Sequence, residues 1–184
     1  MNRCLPPSTS MKRRVRTITT VVVLGTLLVL ATYLIFASRS ALEPDESAPR
    51  VPGFSFPDAG GLDVVLSDIQ ADLRLVHFWA SWSPYSADDL ITLSRLQGEF
   101  GQRVAVIALN RDTNPQEGKA YLAGLGISDS VIFAYDKEDS YFKEVGGYNM
   151  PETLFVAPDD TILLHIRGPM PYDVAREHIT ALLP

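Results

Sequence analysis

Trp79-Ala80-Ser81-Trp82-Ser83-Pro84-Tyr85-Ser86 is the stretch whose reading decides the fold. It continues the run Leu73-Arg74-Leu75-Val76-His77-Phe78, which is apolar on both faces apart from Arg74 and His77. Such a run predicts a central, doubly buried strand over Leu73–Ala80. Proline suits the first helical position and serine suits the cap before it, so a helix is expected from Pro84 with Ser83 as its cap. Leu90, Ile91, Leu93, Leu96 and Phe100 give that helix an apolar stripe, ended near Gly98 to Gly101. A helix N-terminus offers free N–H groups and about half a positive charge, which would stabilise a thiolate at position 83. With serine there, the same geometry offers a hydrogen-bonding hydroxyl only.

Outward from this point the chain alternates. Asp63–Leu66 is expected as a short strand, after the turn around Ala59-Gly60-Gly61, and Ser67–Gln70 as one turn of helix. Arg103–Asn110 reads as a second buried strand. Asn114-Pro115-Gln116-Glu117 combines a cap, a first-position proline and a third-position acid, so a helix should run to about Leu125. Val131–Tyr135 predicts a strand and Lys137–Val145 a helix. Glu152–Ala157 and Thr161–Arg167 form a hairpin across Pro158-Asp159-Asp160. A last helix from about Pro171 to Leu183 is expected to bury Val174, Ile179, Leu182 and Leu183. This order implies an α/β sandwich with a mixed central sheet flanked by helices.

The N-terminal region is of a different kind. Within the 184 residues, Met1 to Thr20 carries Arg3, Lys12, Arg13, Arg14 and Arg16 with no acid, so the remainder is more acidic than the overall charge of −6. An acidic domain argues against nucleic acid as a partner. Ile18 to Ala37 holds no charge and matches the roughly 20 residues of a transmembrane helix. The alternative is a cleaved signal peptide, with cleavage after Ser38-Arg39-Ser40. The expected organisation is a cytoplasmic basic tail over 1–17, a transmembrane helix over 18–37, a proline- and acid-rich linker over 38–52 and an exported domain over 53–184. The one cysteine, Cys4, precedes the apolar run. The exported domain is therefore expected to hold no disulfide, no catalytic thiol and no cysteine-ligated metal, and no cofactor is expected.

Trp79–Ser86 resembles the W-A-S-W-C-x-x-C segment of membrane-anchored, periplasmic thioredoxin-like proteins, with Ser83 and Ser86 at the two cysteine positions. Gly147-Tyr148-Asn149-Met150-Pro151-Glu152-Thr153-Leu154-Phe155-Val156 resembles the G-V-x-G-x-P-E-T-F-L-I segment of the cytochrome c maturation proteins CcmG/DsbE, a branch close to TlpA. Asp160 to Pro169 is similar to that family's last hairpin. The resemblance covers roughly Val51 to Pro184 and implies a thioredoxin-like fold in which a cis-proline, Pro151, faces the redox pair. It also implies an inner-membrane anchor with the domain in the periplasm, and the reduction of apocytochrome c or related disulfides. Ala87 and Leu90 depart from the arginine and histidine that the relatives favour.

Thiol–disulfide exchange needs an attacking thiolate and a resolving thiol, and serine supplies neither. Two readings follow from the resemblance. One is a redox-inactive member that binds periplasmic peptides, apocytochrome c or other assembly proteins through Trp82, Tyr85, Met150, Pro151 and Glu152, with Trp79 adding to the apolar patch. The other is a thiol–disulfide oxidoreductase whose two active-site cysteines are substituted by serine in this sequence. Asp89 falls where the family places an acid near the site, beside Asp88, and Glu152 matches the acid of its P-E-T motif. His77 stands where thioredoxins carry a buried acid. A Ser83–His77 hydrolase is a further reading, against which no oxyanion hole or third triad member is identifiable. His165 and His178 lie on different elements and give a metal site little support.

Overall fold

The computed structural model describes residues 24–33, 49–58, 60–127, 131–136 and 138–184. Cys4, the basic tail and parts of the expected span (18–23 and 34–37) and linker (38–48) lie outside the described residues. Contacts divide the chain into Met1–Ser47 and Ala48–Pro184. In the first unit residues 24–33 are helical and exposed, and among the described residues no helix is long and apolar enough to cross a membrane.

The second unit is built on a five-stranded sheet. Its strands are β3 (Leu73–Trp79), β4 (Val104–Asn110), β5 (Ile132–Tyr135), β6 (Glu152–Val156) and β7 (Ile162–Arg167), in the order β5-β4-β3-β6-β7. β3, β4 and β5 run parallel, while β6 and β7 are antiparallel, which makes the sheet mixed as expected. All seven residues of β3 are buried, as a central strand covered on both faces requires. Two short strands precede it, β1 (Ser55–Pro57) and β2 (Asp63–Val65), paired antiparallel. β1 was not expected, because its pairing is made only when β2 returns beside it.

Period-two alternation sends β3 into two cores. Leu73, Leu75 and Trp79 pack with Leu90, Leu93 and Leu96 of helix α1 (Ser86–Phe100) and with Ala175 and Ile179 of helix α4 (Tyr172–Leu182). Val76 and Phe78 pack on the opposite face with Phe54, Leu66, Leu154 and the aromatic rings of Tyr141 and Phe142. Burial of each leucine of the α1 stripe contributes about 1.5–3 kcal/mol. The stripe is narrower than expected, since Ile91 is exposed. In α4 the core residue is Ala175, and Val174 faces solvent. The 175/179 pair holds the four-residue spacing that places both on one face, whereas 174 is turned away from it.

Helix α2 (Pro115–Ala123) is capped as its sequence predicts, with the Asn114 side chain accepting from the Gln116 amide at 3.1 Å. Helix α3 is shorter than expected, Ser140–Glu144 rather than Lys137–Val145. The buried Asp136 carboxylate accepts the amides of Ser140, Tyr141 and Phe142 at 3.0, 3.0 and 3.2 Å, which fixes the start at Ser140. Arg74, charged yet nearly without exposure, donates from Nη2 to Asp160 at 2.8 Å and to the Ala157 carbonyl at the β6–β7 turn and from Nη1 to the Leu66 carbonyl at 3.3 Å, while its Nε is left without a partner.

Candidate functional site

The end of β3 and the start of α1 are tied together by short polar contacts. Asp112, buried after β4, accepts the Ser81 amide at 3.0 and 3.1 Å, the Ser81 hydroxyl at 3.1 Å and the Asn110 carboxamide at 2.9 Å. Ser86 Oγ donates to the Ala80 carbonyl at 2.8 Å and accepts from the Ala80 amide at 3.4 Å. Together these hold residues 80–86 as a tight connection between strand and helix.

Ser83 does not cap the helix. α1 begins at Ser86, two residues later than expected, with Tyr85 at the cap position and no side-chain cap bond. Residues 83–85 form a turn closed by the Ser86 amide on the Ser83 carbonyl at 3.3 Å. The main chain thus uses the geometry that a capping hydroxyl would use, and Ser83 Oγ is left buried without a hydrogen-bond partner. An unpaired buried hydroxyl costs about 1–3 kcal/mol.

The second segment arrives from β6. The register pairs Phe78 with Glu152, so the residues that follow β3 and those that precede β6 leave the sheet from the same end. The Met150–Pro151 peptide is cis, and the Pro151 carbonyl accepts the Gly168 amide at 2.8 Å. Trp82, Tyr85 and Tyr148 are exposed at 65%, 47% and 77%, values that set them apart from an otherwise aromatic interior. Met150 is half-buried, and Pro151 and Glu152 are buried. Trp79 does not join this surface, because its ring lies in the core against Tyr121 and Phe133. Tyr148 was missed in the sequence, although its place after Gly146-Gly147 and shortly before Pro151 marks a turn that would present a side chain.

Glu152 supports the loop from below. Its Oε1 accepts the amides of Tyr148 at 2.9 Å and Asn149 at 2.6 Å, and its Oε2 meets His165 Nε2 at 2.6 Å. Arg167 lies 3.9 Å from the same oxygen and stacks over the Tyr148 ring at 5.0 Å. His77 is engaged with Thr153 across the β3–β6 pair, Nδ1 to Oγ1 at 2.9 Å. Burial pushes its pKa down to about 3, so its imidazole is neutral. With His77 on Thr153 and Ser83 Oγ unpartnered, the nucleophile–base contact of a Ser–His hydrolase is not made. Asp88 is exposed, whereas Asp89 is buried and accepts the Met170 amide at 3.2 Å. His178 packs edge-on against Phe155, and among the described residues no group of three or more metal-ligating side chains converges.

Gly147 shows how closely this loop is fitted. A Cβ there would lie 2.3 Å from the Phe142 ring, which is held by Phe78 and by the Arg111 guanidinium, the latter 3.4 Å from its centroid. Gly147→Ala is therefore expected to lose about 1–2 kcal/mol of stability in a denaturant titration. An unchanged midpoint would mean that the ring moves aside freely.

Sheet order, the cis-proline after α3 and the strand-to-helix connection beside it define a thioredoxin-like α/β domain. The chain belongs to the AhpC/TSA family, whose model matches residues 48–164. It is 33% identical to the thiol:disulfide interchange protein DsbE of Allochromatium vinosum over 87% of this chain and 90% of that protein. It is 29% identical to the thiol:disulfide interchange protein HelX of Rhodobacter capsulatus over 60% of this chain and 61% of that one. Among solved structures, one assigned to DsbE from Chlorobium tepidum superposes with a TM-score of 0.68 at 24% identity, covering 74% of this chain and 97% of its own, a likeness of fold.

Proposed function

We propose that this chain is an exported, membrane-anchored relative of the thiol:disulfide interchange proteins that has lost their thiol chemistry and binds extended segments of periplasmic apoproteins, apocytochrome c among them. The observation that carries the reading is the presence of Ser83 and Ser86 on the same segment as the exposed rings of Trp82 and Tyr85. No cysteine follows Cys4 in the sequence, so the domain has no sulfur with which to form a mixed disulfide. Trp82, Tyr85 and Tyr148 nevertheless remain exposed on the two segments that carry Ser83, Ser86 and the cis-proline, and large exposed aromatics are the usual anchors of a binding surface. An extended partner would pair with main chain at Met150 and place side chains on the aromatic rings. The uncharged run 18–37 supplies the anchor in this reading, with the basic tail holding the N-terminus in the cytoplasm.

Calorimetric titration of the protein with reduced, alkylated apocytochrome c tests the binding. Saturable binding is expected, weakened about tenfold by Trp82→Ala, within the usual range for an aromatic anchor. The Pro151→Thr variant should weaken it as well. Equal affinity in all three proteins would remove this surface as the binding site.

A further inference from the structure

We propose that His165 is a positioning residue for the loop 148–151, acting through Glu152 to hold Tyr148 and Met150 in the conformation that meets a partner. Its consequence for binding rests on the function proposed above, while its geometry does not. Glu152 has no solvent exposure, so each of its oxygens must find a donor inside the protein. Oε1 is taken by the Tyr148 and Asn149 amides, which are the loop itself. Oε2 depends on His165 Nε2 at 2.6 Å, since Arg167 Nε at 3.9 Å is beyond hydrogen-bond distance.

His165 can reach Oε2 because of the hairpin register. Glu152 pairs with Arg167 and Leu154 with His165, so His165 and Arg167 share the face of the sheet on which Glu152 lies. Arg167 is turned outward over the Tyr148 ring, leaving the histidine as the close donor. Without that donor, a buried carboxylate oxygen has no hydrogen-bond partner, and Glu152 must rotate toward another donor, which loosens its hold on the two loop amides. The histidine that sequence reading left without a role is thus the far end of a clamp on the exposed aromatic loop.

The test compares His165→Leu with His165→Gln in the full chain in detergent micelles. Glutamine can place its carboxamide nitrogen near the imidazole Nε2 position, whereas leucine donates nothing. Amide hydrogen exchange read by nuclear magnetic resonance should accelerate about tenfold or more at Tyr148 and Asn149 in the leucine variant, as expected for loss of a charge-assisted hydrogen bond. Amides of β3 and β4 should be unaffected, and affinity for alkylated apocytochrome c should fall about tenfold on the same grounds. The glutamine variant should stay close to the parent in both readouts. His165→Asn, too short to span the gap, repeats the loss if the leucine variant fails to fold. Unchanged exchange at Tyr148 and Asn149 in the donor-free variants, or a glutamine variant as impaired as leucine, overturns the clamp. Absence of probe binding by the parent protein defeats the binding reading alone, because the exchange measurement still decides the clamp.

Discussion

The Ser83→Cys/Ser86→Cys double variant, in a Cys4→Ala background, is expected to catalyse the reduction of insulin disulfides with dithiothreitol as the electron source that returns the oxidised pair to the dithiol, while the same chain with both serines retained adds nothing to the rate with dithiothreitol alone. Activity in this comparison is expected to go from none to measurable, because the two sulfurs that exchange requires are supplied at the turn and helix start that follow β3. A thiol at position 83 would stand just before α1, a 15-residue helix without a side-chain cap, whose dipole favours the thiolate. The substitution also removes a buried hydroxyl that has no partner. Position 86 behaves differently. Ser86 Oγ bridges the Ala80 carbonyl and amide, and a thiol is a weaker donor, so Ser86→Cys is expected to lose about 0.5–1.5 kcal/mol. The single Ser83→Cys variant should accumulate mixed disulfides with oxidised partners, for want of a resolving thiol. Turnover by the serine chain would end the redox-inactive reading. A folded but inert double variant would mean that residues around the pair, such as Ala87, have drifted beyond rescue.

The contrast between the two serines shows what sequence reading can and cannot reach. β3, β4 and the β6–β7 hairpin were legible because burial writes itself into composition, and each was placed within a residue or two. The cap of α2 was legible because Asn114-Pro115 leaves the backbone one economical geometry. Ser83-Pro84 is just as suggestive, yet a turn and a helix start share that signature, and only the hydrogen bond from Ser86 to the Ser83 carbonyl decides between them. The site was legible in part for a similar reason. Ser83, Ser86, Met150, Pro151 and Glu152 stand in two recognisable segments, and the structure brings those segments together through the β3–β6 register. Exposure is harder to read. Trp79 and Trp82 differ by three positions and look alike in sequence, yet one is core and the other is exposed, because the strand ends between them. The Glu152–His165 contact depends on hairpin register and rotamer together, neither of which composition encodes.

Asp89→Asn is expected to stabilise the protein by about 2–3 kcal/mol at pH 7.5 and by nothing below about pH 4, reflecting a shift of roughly two pH units. Asp89 is 5% exposed; its Oδ1 accepts the Met170 amide, and its Oδ2 has no partner. Burial pushes its pKa from the ordinary 3.8 up to about 6; the Met170 hydrogen bond opposes that rise and the neighbouring Asp88 adds to it. The sign follows from proton binding. Between pH 3.8 and about 6 the folded protein holds a proton that the unfolded chain has released, so stability falls as pH rises through that window. Above it the folded state carries a buried, half-satisfied charge at full cost. Asparagine retains the acceptor for Met170 and resembles the protonated acid in shape, so the two proteins should coincide at low pH and diverge above the window. Denaturant midpoints at pH 4 and pH 7.5 measure both limits. A stability difference that does not change with pH would show that the effect is one of packing and that the carboxylate is not strained by burial. A pH-dependent gain would identify α1's first turn as a place where the chain keeps an ionisable group against its own stability, as functional positions do. That acid would then lie on the same turn-and-helix segment as Ser83 and Ser86.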